Sequence, residues 1–242
     1  MDIEFPFATE IAERFDSLYQ LLSRKYRIEE NTYDLGERKY RIISVKNLDD
    51  LLNEIIKLDP NHVEVKDERL PYWAEIWPSS LALSRFILDS GMLGRGTSVL
   101  ELGCGLGLVG MAALDAGADV LFTDYQPDAL RFSELNCLLN LGKSSATALM
   151  DWRQPDLKSR FEVILASDVA YEKRFFWPLI DTFNQLLRPG GHVYLSEPNR
   201  KVANKFLDML REEGFVLKKT DIQVKFRGKA PFISVYDIWK SR

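Results

Sequence analysis

The run Val99-Leu100-Glu101-Leu102-Gly103-Cys104-Gly105-Leu106-Gly107 constrains the fold of this chain more than any other segment. An apolar strand leads into three alternate glycines at the start of a helical stretch. Glycine lets the backbone turn sharply and approach a ligand closely, and the first turn of the helix presents unpaired N–H groups. In an α/β sheet such a unit is a nucleotide-cofactor site. In isolation it is weaker, because glycines also serve tight strand-to-helix packing in cores that bind nothing, so the flanking sequence has to decide.

From about Ser98 onward, short apolar runs alternate with helical periods, the pattern of βα units that feed a mostly parallel sheet. Val99 to Leu102, Val120 to Phe122, Ala146 to Met150, Val163 to Leu165 and Val193 to Leu195 are five expected strands. Pro127 and Pro178 fall in first helical turns, where a missing N–H costs little, and Gly117, Gly142 and Gly214 stop helices. After a helix over Lys201 to Glu213, the runs Phe215 to Phe226 and Pro231 to Trp239 form a hairpin about Arg227-Gly228-Lys229. The expectation is a doubly wound, Rossmann-like seven-stranded α/β sheet with an antiparallel strand at its edge. Before Arg69, Ile11 to Tyr26 reads as a helix, Tyr33 to Val45 as a hairpin around Gly36, and Leu48 to Leu58 as a helix. This α+β extension is expected to be a cap or accessory layer over residues 1–68, since 242 residues suit one substantial α/β domain with an extension better than two domains.

The charge balance narrows the partners. A net charge of −4 gives no long-range attraction to phosphate backbones or anionic lipid, which disfavours nucleic acid. No apolar run reaches membrane-spanning length, so no membrane is expected. Cys104 and Cys137 are too few for a disulfide framework and fit a reducing cytoplasm. Neither His62 nor His192 stands at metal-ligand spacing from other donors, which argues against a zinc site or a Ser-His-Asp triad, and His192 sits inside a strand-like run.

Two cofactors compete for the glycine loop. Gly105, Gly107 and Gly110 satisfy the dinucleotide register G-x-G-x-x-G, and Asp124 ends the second strand about 20 residues on, where ribose hydroxyls are held in either case. Asp124 could also be a turn former ahead of Pro127. Glu101 separates the two: a carboxylate at the tip of the first strand sits badly beside a pyrophosphate but suits the cationic methionine portion of S-adenosylmethionine.

Glu101-x-Gly103-x-Gly105-x-Gly107 with Asp124 resembles the first two motifs of the class I S-adenosylmethionine-dependent methyltransferases. Leu186-Leu187-Arg188-Pro189-Gly190-Gly191 resembles the loop before the fifth strand of that class, and the C-terminal hairpin its reversed last strand. The resemblance covers roughly Arg69 to the C-terminus and implies a methyltransferase domain over residues 69–242.

Within the class the chain is similar to the protein-lysine methyltransferases that modify chaperones, ATPases and electron-transfer flavoprotein. Tyr72-Trp73-Ala74-Glu75-Ile76-Trp77-Pro78 resembles that group's Trp-containing segment, which implies that Trp77 lines the cofactor. Asp151-Trp152 resembles its adenine-contacting pair, and Ser167-Asp168-Val169-Ala170-Tyr171 its Asp-x-x-Tyr motif. Asn136 and Asn140 match polar positions of its second helix, although as bare residues they read as helix-surface or capping groups. The implied cofactor set is Trp77, Glu101, Gly103, Cys104, Gly105, Gly107, Asp124, Tyr125, Asp151, Trp152 and Ser167, with Asp168 and Tyr171 as catalytic residues and no metal. Trp73, Trp77 and Tyr171 could wall the amine with aromatic rings, while tryptophans that merely close the core, and Tyr171 as a buried anchor, stay open. The implied acceptor is a protein lysine. A small-molecule amine, a non-catalytic S-adenosylmethionine-binding module and, last, an NAD-dependent oxidoreductase are the alternatives.

Overall fold

The structure is a computed structural model that describes residues 8–59, 61–67 and 70–240. In chain order its elements are α1 (Thr9–Lys25), β1 (Ile28–Asp34), β2 (Lys39–Val45), α2 (Leu48–Ile56), α3 (Val63–Lys66), α4 (Pro78–Ser90), β3 (Ser98–Leu102), α5 (Leu108–Asp115), β4 (Asp119–Asp124), α6 (Pro127–Leu141), β5 (Ala146–Leu149), β6 (Phe161–Ser167), α7 (Phe176–Leu186), β7 (Leu187–Glu197), α8 (Lys201–Glu212), β8 (Phe215–Gln223) and β9 (Phe232–Lys240). Short 3-10 turns cover Tyr72–Ala74 and Lys173–Phe175. Pro127 opens α6, and Gly142, with φ of +59°, closes it. None of the described helices is long and apolar enough to cross a membrane.

Strands β3 to β9 build one seven-stranded sheet in the order β5-β4-β3-β6-β7-β9-β8. The central strand β3 runs parallel to β4 on one side and β6 on the other, pairing Leu100 with both Leu121 and Ile164. The chain winds outward through β4 and β5 and then returns to the far side of β3. This switch point leaves a crevice at the carboxyl ends of β3 and β6, where open α/β sheets bind ligands.

Two details depart from the sequence expectation. The reversed strand is β9, one place in from the edge, antiparallel to both β7 and β8. Ile233, Val235 and Ile238 of β9 are buried and need partners on both flanks, whereas β8 carries Lys218 and Lys219 and suits an open edge. The Pro189-Gly190-Gly191 segment is drawn into β7 rather than forming a loop before it: Leu187 already pairs with Phe161, and the register shifts between Phe161 and Val163. His192 lies on β7 as expected, its Nδ1 2.6 Å from Asp237 Oδ1 on β9.

Each face of the sheet has its own core. On one, Phe176, Phe183, Phe206 and Leu210 from α7 and α8 pack on Ile164, Val193 and Leu195. On the other, residues of α4, α5 and α6 join a continuous apolar body with Phe15, Leu18 and Leu22 of α1 and Ile42 and Ile43 of β2. The N-terminal layer thus shares its core with the sheet.

Asn136 and Asn140 make the seam between them, contrary to the helix-surface or capping role read from sequence. Asn136 is fully buried; its Oδ1 accepts from Ile43 N–H at 2.8 Å, and its Nδ2 donates to the carbonyls of Ile43 (3.1 Å) and Leu106 (3.0 Å). One turn on, Asn140 binds Arg41 N–H and C=O at 2.8 and 2.7 Å. Among the described residues the outer edge of β2 has no further strand to pair with, and two carboxamides on α6 satisfy it.

Candidate active site

The carboxyl ends of β3, β4 and β6 open on a cleft of about 430 Å³, roofed by the segment that leads into α4. Its floor is the glycine loop. Gly103 and Gly105 adopt φ of +63° and +50°, and both face the cleft. A methyl group on Gly103 would lie 2.8 Å from Cζ2 of Trp152, and one on Gly105 would lie 3.1 Å from the carbonyl oxygen of Trp73, so any side chain there would fill the cradle.

The later glycines serve packing. Gly107 does not line the cleft; it caps α5 with φ of +84° and lies against Ser133 of α6, where a Cβ would come within 2.7 Å. Gly110 makes room for Phe122 and for the carboxylate of Glu101. The dinucleotide register is therefore satisfied in letters only, because its last two glycines seat helices and an acid instead of a pyrophosphate.

Three strands each deliver an acid to this edge. Glu101, 2% exposed at the end of β3, accepts one hydrogen bond, from Gly110 N–H at 3.1 Å, and burial drives its pKa far above the ordinary carboxylate value. Asp124, 3% exposed at the end of β4, accepts from Gly105 N–H (3.1 Å) and Gln126 N–H (2.9 Å); burial outweighs these bonds and pushes its pKa up to about 6. Asp168 follows β6 with φ of +60°, its N–H donating to Ser196 C=O at 3.0 Å. A left-handed aspartate is uncommon, and such conformations cluster at functional sites.

Asp168 is not alone. Its Oδ1 is ion-paired with Arg200, the residue that caps the start of α8, and Arg200 also stands 3.6 Å from Glu197 at the end of β7. Glu197 is 1% exposed and accepts from Arg200 N–H through Oε1 at 2.9 Å; burial, reinforced by the nearby Asp168 charge, raises its pKa to about 7. Sequence reading missed both residues. The signal was available in Glu197-Pro198-Asn199-Arg200, which follows an apolar strand just as Asp168 does.

Aromatic rings form the rim. Tyr72 meets Trp77 edge-on at 5.9 Å and Tyr171 at 5.6 Å between centroids, and Trp77 Nε1–H donates to Tyr72 C=O at 2.8 Å. The rim is thus Tyr72, Trp77 and Tyr171. Trp73 borders the cleft, but its ring packs on Tyr26 and Phe132 toward the N-terminal layer. Burial raises the Tyr171 phenol, keeping it protonated.

Cys104, Tyr125, Trp152 and Ser167 line the same cleft. Burial raises the Cys104 thiol well above its usual pKa, which leaves it a packing group and not a nucleophile. Asp151 is turned aside: Arg153 grips it through Nε at 2.9 Å while also holding Asp67 at 2.6 Å, and the acid borders a small recess next to the cleft. Of the expected set, only Gly107 and Asp151 lie outside the main cavity.

Comparison with known proteins places this geometry. The electron transfer flavoprotein beta subunit lysine methyltransferase of Xenopus laevis is 37% identical over 136 residues, covering 54% of this chain and 53% of its own. The protein N-lysine methyltransferase METTL21A of Xenopus tropicalis is 29% identical over 178 residues, 68% of this chain and 82% of its own. The chain spans about half the length of the first of these relatives. Among solved structures, magnesium protoporphyrin IX methyltransferase from Synechocystis with bound S-adenosylmethionine superposes with a TM-score of 0.54 over 81% of this chain and 92% of its own, at 16% identity, and shows the shared fold. A family model described as lysine methyltransferase matches residues 46–213, from the start of α2 through α8 and so across the whole cleft, and on that match the chain belongs to the lysine methyltransferase family.

Proposed function

We propose that this protein transfers a methyl group from S-adenosylmethionine to the side-chain amine of a lysine in a protein substrate. The observation that carries the reading is the set of three acids, Glu101, Asp124 and Asp168, delivered by adjacent strands to one cleft floored by bare glycine backbone and rimmed by aromatic rings. The residues present fit the donor. Glu101 is a buried carboxyl with a single N–H partner, a berth for an ammonium group; Asp124 can accept from ribose hydroxyls; and Trp152 over Gly103 offers an apolar face to adenine.

When bound, the donor supplies an electrophilic methyl group on a sulfonium. Everything else falls to the chain's own residues, and it is chiefly positioning. Asp168 presents Oδ2, which has no hydrogen-bond partner among the described residues, to the incoming amine. A lysine ammonium with an ordinary pKa of about 10.4 must lose its proton before it can attack. Enclosure by Tyr72, Trp77 and Tyr171 removes water and lowers that pKa, while the ring faces tolerate the cation that the methylated product becomes. Ser167 and Tyr125 complete the donor side. In this reading residues 69–242 carry the chemistry, and residues 1–68 form the accessory layer that braces α6. Both cysteines are buried and free, which supports a reducing, cytoplasmic setting.

The relatives are named for protein substrates, which favours a protein acceptor over a small amine. Incubating the protein with lysate and a tritiated methyl donor, then mapping the labelled site by mass spectrometry, tests this. Label on a lysine of a protein is expected. Label confined to small molecules, or no label, would refute it.

A further inference from the structure

We propose that Arg200 is a positioning residue for the acceptor amine: it holds Asp168 by one oxygen and compensates its charge, so that the amine meets the free oxygen without being trapped as an ammonium. The inference rests on the assignment of Asp168 as the acceptor-facing acid.

Charge in the cleft is lopsided. Among its described lining residues are five carboxylic acids, Glu75, Glu101, Asp124, Asp168 and Glu172, and one cation, Arg200. Glu75 is paired outside the cleft with Arg227 from the β8–β9 turn, and Glu172 with Arg174. Glu101 and Asp124 face the donor side. That leaves Asp168 and, behind it, Glu197, which share the one arginine. On the rim beside them, Tyr72 is close enough to act on the Arg200 guanidinium and packs edge-on against Tyr171, whose phenol burial keeps protonated.

The geometry fixes how the arginine is shared. The Glu197 carboxylate caps the backbone N–H of Arg200 and anchors the start of α8, and the guanidinium turns back to Oδ1 of Asp168. Glu197 Oε2 is buried with no hydrogen bond from the described residues, and the guanidinium 3.6 Å away is its compensating charge. Asp168 is held in the left-handed region by its N–H bond to Ser196 and by this pair. A guanidinium does not deprotonate in proteins, so Arg200 takes no part in moving the proton. What it changes is the field at Oδ2. With Arg200 present, an amine at Oδ2 feels a largely neutralised pair. Without it, the uncompensated Asp168 carboxylate would favour the ammonium form, raising the very pKa that the reaction needs low.

The test is the pH dependence of kcat, which reports groups titrating in the enzyme–substrate complex, measured at saturating acceptor with tritiated S-adenosylmethionine and the lysate protein that wild type labels. In Arg200→Gln the acid limb should move up by about one pH unit, which is roughly a tenfold loss at pH 7 that recovers by pH 9. The acceptor KM should not rise, and Arg200→Lys, which keeps the charge, should retain the wild-type limb. Calorimetric binding of S-adenosylhomocysteine serves as the check of the folded site. If Arg200→Gln fails that check, Glu197→Gln replaces it: removal of one of the two sharing acids should move the limb to lower pH, and an unmoved limb overturns the proposal. Parallel profiles, lower by a constant factor, overturn it also. A wild-type protein that labels nothing overturns the functional reading on which the proposal stands.

Discussion

Replacing Asn136 by alanine tests whether the two layers are joined by a polar seam or only by apolar packing. The substitution removes three hydrogen bonds and leaves Ile43 N–H, Ile43 C=O and Leu106 C=O without their partner in a dry environment, with Ile43 1% and Leu106 2% exposed. A buried polar group left unmet costs roughly 1–3 kcal/mol, and carbonyls sit at the low end because they hold a second lone pair. The total is about 3–6 kcal/mol, a large part of the roughly 5–15 kcal/mol that stabilises a native protein. For a chain of this size that corresponds to a fall in Tm of roughly 6–24 °C. Urea unfolding followed by far-UV circular dichroism, with m compared between variants, measures it. Asn140→Ala should cost less, because Asn140 is only partly buried and water can reach the vacated groups of Arg41. A loss below about 1 kcal/mol for Asn136→Ala at unchanged m would refute the reasoning, since no network of three buried bonds can be that cheap to remove.

Three further outcomes follow from the cleft. Asp168→Asn should reduce methyl transfer at least about 100-fold while leaving S-adenosylhomocysteine affinity within a few-fold, because asparagine tolerates the left-handed backbone that Asp168 adopts; loss of binding by calorimetry would reassign the residue to the donor. Gly103→Ala should weaken donor binding by more than about tenfold, because its Cβ would meet Trp152 at 2.8 Å on a backbone with φ of +63°; unchanged affinity in the same assay would mean that the loop does not cradle the donor. Asp124 has its pKa raised from 3.8 to about 6, so the folded protein binds a proton there that the unfolded chain releases, and the group's contribution to stability declines as pH rises from about 4 to 6. Donor affinity should run the other way, rising between pH 5 and 7 as the carboxylate that accepts the ribose hydroxyls forms, and a flat pH profile for wild type beside Asp124→Asn would contradict the role.

Legibility in the sequence tracked the range of the interaction. Strands buried on both faces declare themselves as short apolar runs, and glycine and proline mark helix ends locally, so β3, β4, β6 and β7 and the C-terminal hairpin were readable, whereas the polar first strand of the N-terminal hairpin starts at Ile28 and not at Tyr33 as expected. Glu101, Asp124 and Asp168 were readable for a related reason: a charged residue in the last two positions of an apolar strand or directly after it lands on the carboxyl edge. Glu197 obeys the same rule and was overlooked because its run ends in the turn-like Pro198-Asn199. What sequence could not show was pairing at a distance. Asn136 looks like any polar helix residue until Ile43, 93 positions earlier, is laid beside it. Gly107 and Gly110 match a phosphate-binding spacing, yet what they touch is Ser133, Phe122 and Glu101, and only the packing of α5 on α6 and β4 reveals it. Asp151 could be placed beside the cleft, but not the arginine that turns it away.

The shared core has a practical corollary for anyone who wishes to retarget the protein by recombination. Because α1 and β2 lie on α6 with Phe15, Leu22 and Ile43 sealed between them, a crossover placed in the segment before α4 would strand half of that contact in each parent. Hybrids between this chain and a relative should survive when α6 travels with the first 58 residues as one inherited block, and should aggregate when it does not.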